Sequence, residues 1–282
     1  MDNLIYYYCK ADTFKKIIQS KELWLTKVME SNDKEEVVRT VKNIWSRVKN
    51  KLLIIDGSLG EILNQITQIL NINIRNDINE PYAVCFTEND DLVQNWCEYG
   101  DRGKGVALGF SRDIFEGIQN DYPFPNDTAD MSVGWQKIYY DNGGNKDFDE
   151  QLTLRCLDIL KANQDFLGPL SVYKTLKSYS AFIKNYTFKD EREIRIVCYV
   201  GAIGKNNLQS SVIKFNETSS PPHCSIFWVK ENRCALKRVI IGANNKSTKQ
   251  DVLKLLDRYG VIADIQIEKS ACSYIDRDAD SK

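Results

Sequence analysis

At 282 residues, with 43% hydrophobic, 27% charged and 11% aromatic side chains, the chain has the make-up of an ordinary globular protein and is too long for a disulfide-stapled mini-protein. Its 38 Lys and Arg stand against 39 Asp and Glu, so no global field draws it to nucleic acid or anionic lipid. Eight cysteines without C-x-x-C spacing argue against a zinc ribbon, and a single histidine, His223, excludes paired-histidine metal sites, so no metal is expected.

The N-terminus MDNLIYYYCK has no basic region followed by an apolar stretch, and the longest apolar runs, such as LLII at 52–55, fall far short of the roughly 18 residues of a membrane span. A cytoplasmic protein with reduced thiols and no membrane contact is expected. Residues 3–9 are β-branched and aromatic, as in a strand. DTFKKIIQSKEL then places Phe14, Ile17 and Ile18 at helical spacing behind an Asp12 or Thr13 cap. A strand at 22–26 precedes a helix over 34–51, for which Ser31, Asn32 or Asp33 is the expected cap. After a turn at 56–58, Ile62, Leu63, Ile66, Ile69 and Leu70 form one apolar stripe, and the two helices are expected to pair as a hairpin.

YAVCFT at 82–87 alternates as a strand, DDLVQNWCEYG predicts a capped helix ending at Gly100, and 105–110 is again strand-like. A strand is predicted at 134–141, and 147–186 carries helical spacing broken at Gly168-Pro169. EIRIVCYV, CSIFWV, KRVIIGA and DIQIE predict four more strands, with an amphipathic helix from STKQDVLKLLDRYG before the last. His223, in SSPPHCS, is expected on an exposed loop. With no repeat or linker, 1–282 is expected to be one α+β domain: a mixed, mostly antiparallel sheet with helical inserts at about 33–75 and 147–186.

Three groups of residues carry chemical interest. In KDEREIRIV an extended backbone puts Glu191, Glu193 and Arg195 on one face. Such a pair can raise one pKa, hold a sugar hydroxyl or stabilise a cationic transition state, or it can be a solvated face on which Arg195 offsets the repulsion. Tyr6, Tyr7 and Tyr8 supply flat rings with polar tips, suited to stacking a nucleobase or nicotinamide and equally to core packing. The glycines of GKGVALG do not make a dinucleotide-binding loop, because VALGF continues as a strand instead of opening a helix. Arg102 and Lys104, and the basic run Arg39, Lys42, Arg47, Lys49 and Lys51, are candidate phosphate contacts.

The ordered set LIYYYC, TFKKIIQSKELWLT, NDKEE, CFTEND, WCEYGDRGKGVALGF, KDEREIRIV and VIIGANNKSTKQDVLKLL resembles the bacterial domain-of-unknown-function family numbered 2971, over about residues 4–275. The opening strand, the TFKKIIQSKEL helix and the late Glu-x-Glu are also similar, more distantly, to ADP-ribosyltransferases, DNA-targeting toxins among them. That resemblance implies NAD as substrate, an early Arg or His on its ribose or phosphates, a middle Ser, Thr or Tyr, and a late catalytic Glu. Carried over, it makes Glu193 the catalytic carboxylate with Glu191 beside it. Tyr6, Tyr7, Tyr8, Thr87, Trp96, Tyr99 and Arg195 become the cofactor-binding set, with Tyr7 at the early position in place of Arg or His. The function implied is a toxin or phage-defence effector modifying nucleic acid or protein, and the alternative is a non-catalytic ligand-binding or protein-interaction module on the same fold. A Glu193→Gln variant is expected to fold normally and lose NAD turnover.

Overall fold

In the computed structural model, described here for residues 4–28, 36–73, 81–115, 118–120, 131–144, 146–163, 165–200, 213–216, 219–230, 233–261 and 263–273, the alternating N-terminal segment forms β1 (Ile5–Cys9). It is followed by α1 (Ala11–Ser20) and β2 (Glu22–Lys27). Phe14, Ile17 and Ile18 are buried as their spacing requires, but α1 starts at an uncapped Lys10, and Asp12 instead pairs with Lys15 on the surface. Next come α2 (Glu36–Ile55), α3 (Gly60–Asn73), β3 (Pro81–Thr87), α4 (Val93–Glu98), β4 (Val106–Phe110) and β5 (Gln119–Asn120). The expected caps Ser31, Asn32 and Asp33 lie outside the described residues.

The predicted strand at 134–141 is two elements in different sheets, β6 (Met131–Lys137) and β7 (Tyr139–Asp141). Likewise 147–186 divides into α5 (Lys146–Ala162), α6 (Leu167–Ser180) and a short strand, β8 (Ile183–Asn185), which pairs in parallel with β7. The break falls at Asp165, whose carboxylate accepts from the Leu167 N–H at 2.9 Å. Gly168 and Pro169 lie in the first turn of α6, where a missing N–H removes no helical bond. The chain continues through β9 (Glu193–Val200), β10 (Ile213–Asn216), β11 (His223–Phe227), β12 (Val229–Lys230), β13 (Arg233–Cys234), β14 (Leu236–Ile241), α7 (Lys249–Arg258) and β15 (Gln266–Lys269). A reciprocal Thr248–Asp251 capping box opens α7.

The main sheet is mostly antiparallel, and the α+β class is as the sequence predicts. Its full-length ladder joins β3 to β9, from Pro81↔Tyr199 to Thr87↔Glu193, and β6 and β5 continue beyond β9. On its opposite edge β3 is shared. Ala83 and Tyr82 pair with β2, which leads on to β11 and β10, whereas Thr87 alone pairs with β1, which leads on to β4, β14 and β15. Neither neighbour pairs with residues 84–86, so the sheet forks there.

One apolar cluster fills the face bearing Val84, Phe86, Ile194 and Ile196, under α1 and α7. A second covers Ala83 and Val197 on the other face with α2, α3, α5 and α6. Within it α2 packs chiefly on α5 and α3 chiefly on α6, so the expected α2–α3 hairpin is loosened into a four-helix layer. Trp45 Nε1 donating to Thr67 Oγ1 at 3.0 Å remains as a direct tie between α2 and α3. His223 is not on an exposed loop. It opens β11, is 4% exposed, stacks on Trp24 at 3.7 Å between ring centroids, and its ring nitrogens lie within hydrogen-bond distance of Ser219 and Asn216.

Candidate active site

The β3/β9 face runs from apolar to charged as the helical layer ends. Side chains alternate along both strands, so the pairs Ala83/Val197, Cys85/Arg195 and Thr87/Glu193 all point to one side. The first pair is covered by helices. The other two form the floor of a cavity of about 400 Å³ at the fork, a size that suits a small ligand. Tyr6, Tyr7 and Tyr8 of β1 make one wall. Asn95 and Tyr99, on or just beyond α4, make a second, and Lys184, Phe188 and Glu191 a third.

Glu193 and Arg195 share a strand face as predicted, but Glu191 does not lie on the strand. It ends a 3-10 turn (Tyr186–Glu191), and Arg192, in the left-handed region at φ 45°, turns the chain between the two glutamates. A non-glycine residue there costs about 1–2 kcal/mol. The turn is held by the Arg192 N–H donating to the Lys189 carbonyl, and by the Glu88 N–H donating to the Arg192 carbonyl, each at 3.2 Å. Both carboxylates thereby reach one ammonium: Lys184 Nζ is 2.6 Å from Glu191 Oε2 and 3.2 Å from Glu193 Oε2. Arg195 Nε donates to Glu193 Oε1 at 2.6 Å, its Nη2 to Oε2 at 3.3 Å, and its Nη1 to the Ala181 carbonyl at 2.7 Å. The four residues are 5–8% exposed, and two anions balance two cations.

Electrostatics follow from this arrangement. Burial by itself would raise the Glu193 carboxyl. The charges of Arg195 and Lys184, with hydrogen bonds from Arg195 and the Cys85 thiol, overcome it and hold the group at about 2. Burial pulls the Lys184 ammonium down, but the nearby Glu193 carboxylate, with Tyr99 and Glu191, outweighs it and holds the group above its ordinary value. Burial pushes the Tyr7, Tyr8 and Tyr99 hydroxyls up and Tyr140 to about 12, so all four stay neutral. Burial likewise raises the Cys85 thiol, although the residue keeps surface exposed to the cavity.

The other expected site residues take distinct places. Thr87 sits where the fork closes and ties the acidic turn down, its Oγ1 donating to the Glu191 carbonyl at 2.5 Å and accepting from the Asn89 N–H at 3.0 Å. Tyr99 donates from its hydroxyl to Glu191 Oε1 at 3.2 Å. Tyr6 and Tyr8 are wall surface, packed with Trp96, Ala107 and Ile240 and not free-standing rings. The Tyr6 oxygen accepts from Arg238 Nη1 at 2.9 Å, and the Tyr8 hydroxyl donates to the Asn89 carbonyl at 3.2 Å. Tyr7 alternates from Tyr6 and Tyr8 and meets Phe86 edge-on at 6.2 Å, yet it still lines the cavity beside Cys85. Trp96 does not line the cavity; it supports Tyr8 from behind at 4.9 Å, with its indole N–H donating to Asp91 at 2.6 Å. Asp91 does not cap α4. It gathers that N–H, the Ser270 hydroxyl and the N–H groups of Ala271 and Cys272.

Lys184 and Cys85 escaped the sequence reading. The former lay in a stretch read as helix, although the run AFIKN has strand character, and the latter was one alternating strand residue among several. The basic run on α2 does not present a continuous charged face: Arg47 is bound by Asp149 at 2.8 Å and Asp141 at 3.2 Å, and Lys49 donates to Asn64 and Thr67. Arg102 and Lys104 stand away from the cavity walls. Among the described residues no cluster of His, Cys, Asp or Glu could hold a metal ion, no helix is long and apolar enough to cross a membrane, and the eight cysteines are free.

Residues 95–196 match a family model described as a protein of unknown function (DUF2971). The matched span runs from Asn95 to Ile196, so it holds the acidic turn, Lys184 and the charged part of β9, while β1 and β3 lie before it. No curated protein and no solved structure matches the chain.

Proposed function

We propose that the chain is an NAD-dependent enzyme of the ADP-ribosyltransferase type, passing ADP-ribose to a nucleic-acid or protein acceptor or to water. The observation that supports this reading is the cavity at the fork, which sets an ionised, buried Glu193 across from the tyrosines of β1. Strand edges with no neighbour, as at residues 84–86, suit a planar amide such as that of nicotinamide. In the reaction the bond between ribose C1′ and the nicotinamide nitrogen breaks, and its electron pair leaves with nicotinamide. The oxocarbenium-like centre is stabilised by the Glu193 carboxylate, which also accepts a hydrogen bond from the ribose 2′-hydroxyl. A nucleophile then bonds to C1′ and gives its proton to Glu191, while Arg195 holds Glu193 in place.

A second reading, a non-catalytic ligand-binding or protein-interaction module, draws on a different observation: both oxygens of Glu193 are already engaged by Arg195 and Lys184. Labelled NAD separates the two. Wild type and Glu193→Asp, which keeps the charge and withdraws it by one methylene, are incubated with NAD alone and with cell extract, and free nicotinamide, protein and nucleic acid are separated. Wild type is expected to release nicotinamide, with the variant on the order of a hundredfold slower. Label in protein or nucleic acid would support a toxin or defence effector. Binding without release would support the module, and no NAD binding by calorimetry would overturn the enzymatic reading.

A further inference from the structure

The mechanism above leaves one buried charge without a task. Lys184 lies on β8, where Tyr140 of β7 is its register partner, and the Tyr140 hydroxyl accepts from the Glu193 N–H at 2.8 Å. One short pair of strands thus fixes the lysine together with the backbone of the carboxylate. The residue is 8% exposed, and its ammonium has three close neighbours: Glu191 at 2.6 Å, Glu193 at 3.2 Å, and the Phe188 ring, whose centroid is 4.7 Å from Nζ.

Charge shows what such a group does. Arg195 is committed to Glu193, which it grips through Nε and Nη2, and to the Ala181 carbonyl. Glu191 pairs with Lys184 and accepts from the Tyr99 hydroxyl at 3.2 Å. Burial keeps Tyr99, Tyr140 and the Cys85 thiol neutral, while Glu98, Asp190 and Arg192 are exposed. Lys184 is therefore the cation that the two buried carboxylates share, and without it their repulsion would be relieved by a proton. Geometry directs that proton to Glu191, because Glu193 would still have its bidentate partner.

We propose that Lys184 is a positioning residue whose ammonium keeps Glu191 free to accept a proton beside a charged Glu193, and so sets the lowest pH at which transfer proceeds. The role of Glu191 as base rests on the NAD reading above, whereas the charge balance does not. The test follows the glutamate carboxyl carbons by NMR, without NAD, from mildly acidic to neutral pH. It compares wild type, Lys184→Met, Lys184→Arg and the double variant Lys184→Met with Glu191→Gln. In Lys184→Met one carboxyl should titrate about one pH unit or more above its wild-type counterpart. Lys184→Arg should restore the wild-type titration, and the double variant should lack that signal. The thermal midpoint of Lys184→Met should also rise on mild acidification, because its folded state then binds the proton more tightly than the unfolded chain, and this can be read even where the variant folds poorly at neutral pH. With labelled NAD, the acidic limb of transfer should move up by the same interval in Lys184→Met and return in Lys184→Arg. A titration that stays in place, a midpoint that does not rise, or a limb unmoved in an active variant overturns the inference. A wild type that releases no nicotinamide, with the carboxyl shift present in Lys184→Met, overturns the NAD reading while the charge balance set by Lys184 stands.

Discussion

Two ends of a single sheet face contrast sharply. At the Ala83/Val197 end of the β3–β9 ladder the side chains are apolar, and α2, α3, α5 and α6 exclude water from them. Two to four residues further along the same strands, Cys85, Thr87, Glu193 and Arg195 look into an open cavity, and the charges of Glu193 and Arg195 are balanced together with those of Lys184 and Glu191. Backbone pairing is continuous through both ends, so secondary structure does not separate them. The difference is cover: where helices close over the sheet only apolar groups are tolerated, and where the fork prevents closure a charged cluster persists because each ion has a partner and a route to solvent.

Three experiments break or sharpen that contrast. The largest effect is expected from Val197→Asp, which puts a carboxylate among apolar helices with no cation beside it. A loss of more than about 5 kcal/mol, enough to unfold an ordinary domain, should show as absence of a cooperative urea transition. Arg195→Met, at the open end, strips Glu193 of its bidentate partner but leaves Lys184. Here roughly 3–5 kcal/mol should be lost, with a shifted but still cooperative transition, because the cavity admits water to the stranded ion.

The third experiment is a pH series. Glu193 is held at about 2, below its ordinary 4.5, so the unfolded chain takes up this proton first as pH falls. Its contribution to stability is complete above pH 4.5 and is lost as pH drops toward 2, on the order of 3 kcal/mol at most. The same slope should be reduced in Arg195→Met. A slope unchanged between wild type and variant would detach the Arg195 pair from acid stability. These energies also revise the expectation that Glu193→Gln folds normally: a glutamine there leaves Arg195 and Lys184 with one carboxylate between them, so a charge-conserving change is the cleaner functional test.

Much of the architecture was legible in the residues. Phe14, Ile17 and Ile18 on α1, the alternation through β3 and β9, and the capping residues of α7 all report on near neighbours in the chain, and local periodicity is sufficient for them. Errors came where a local signal competed with a distant one. Asp91 has the look of a helix cap, yet it is satisfied by residues 270–272. Pro169 has the look of a helix break, yet it sits harmlessly in the first turn of α6. His223 has loop neighbours, yet Trp24 and Asn216 bury it.

The candidate site divides in the same way. Alternation along an extended strand is a property of the backbone, so Glu193 and Arg195 could be assigned to one side from their spacing alone, and the three tyrosines could be assigned to the two sides of theirs. Lys184 bridges the two glutamates across only seven and nine residues of chain, through the left-handed turn at Arg192, but that this cluster faces β1, and that β1 parts from β3 after one register pair, are consequences of contacts between segments about 80 to 190 residues apart. No short-range pattern encodes such contacts. They arise when the helical layer and the two arms of the sheet compete to cover one strand, and the space that none of them fills is the cavity.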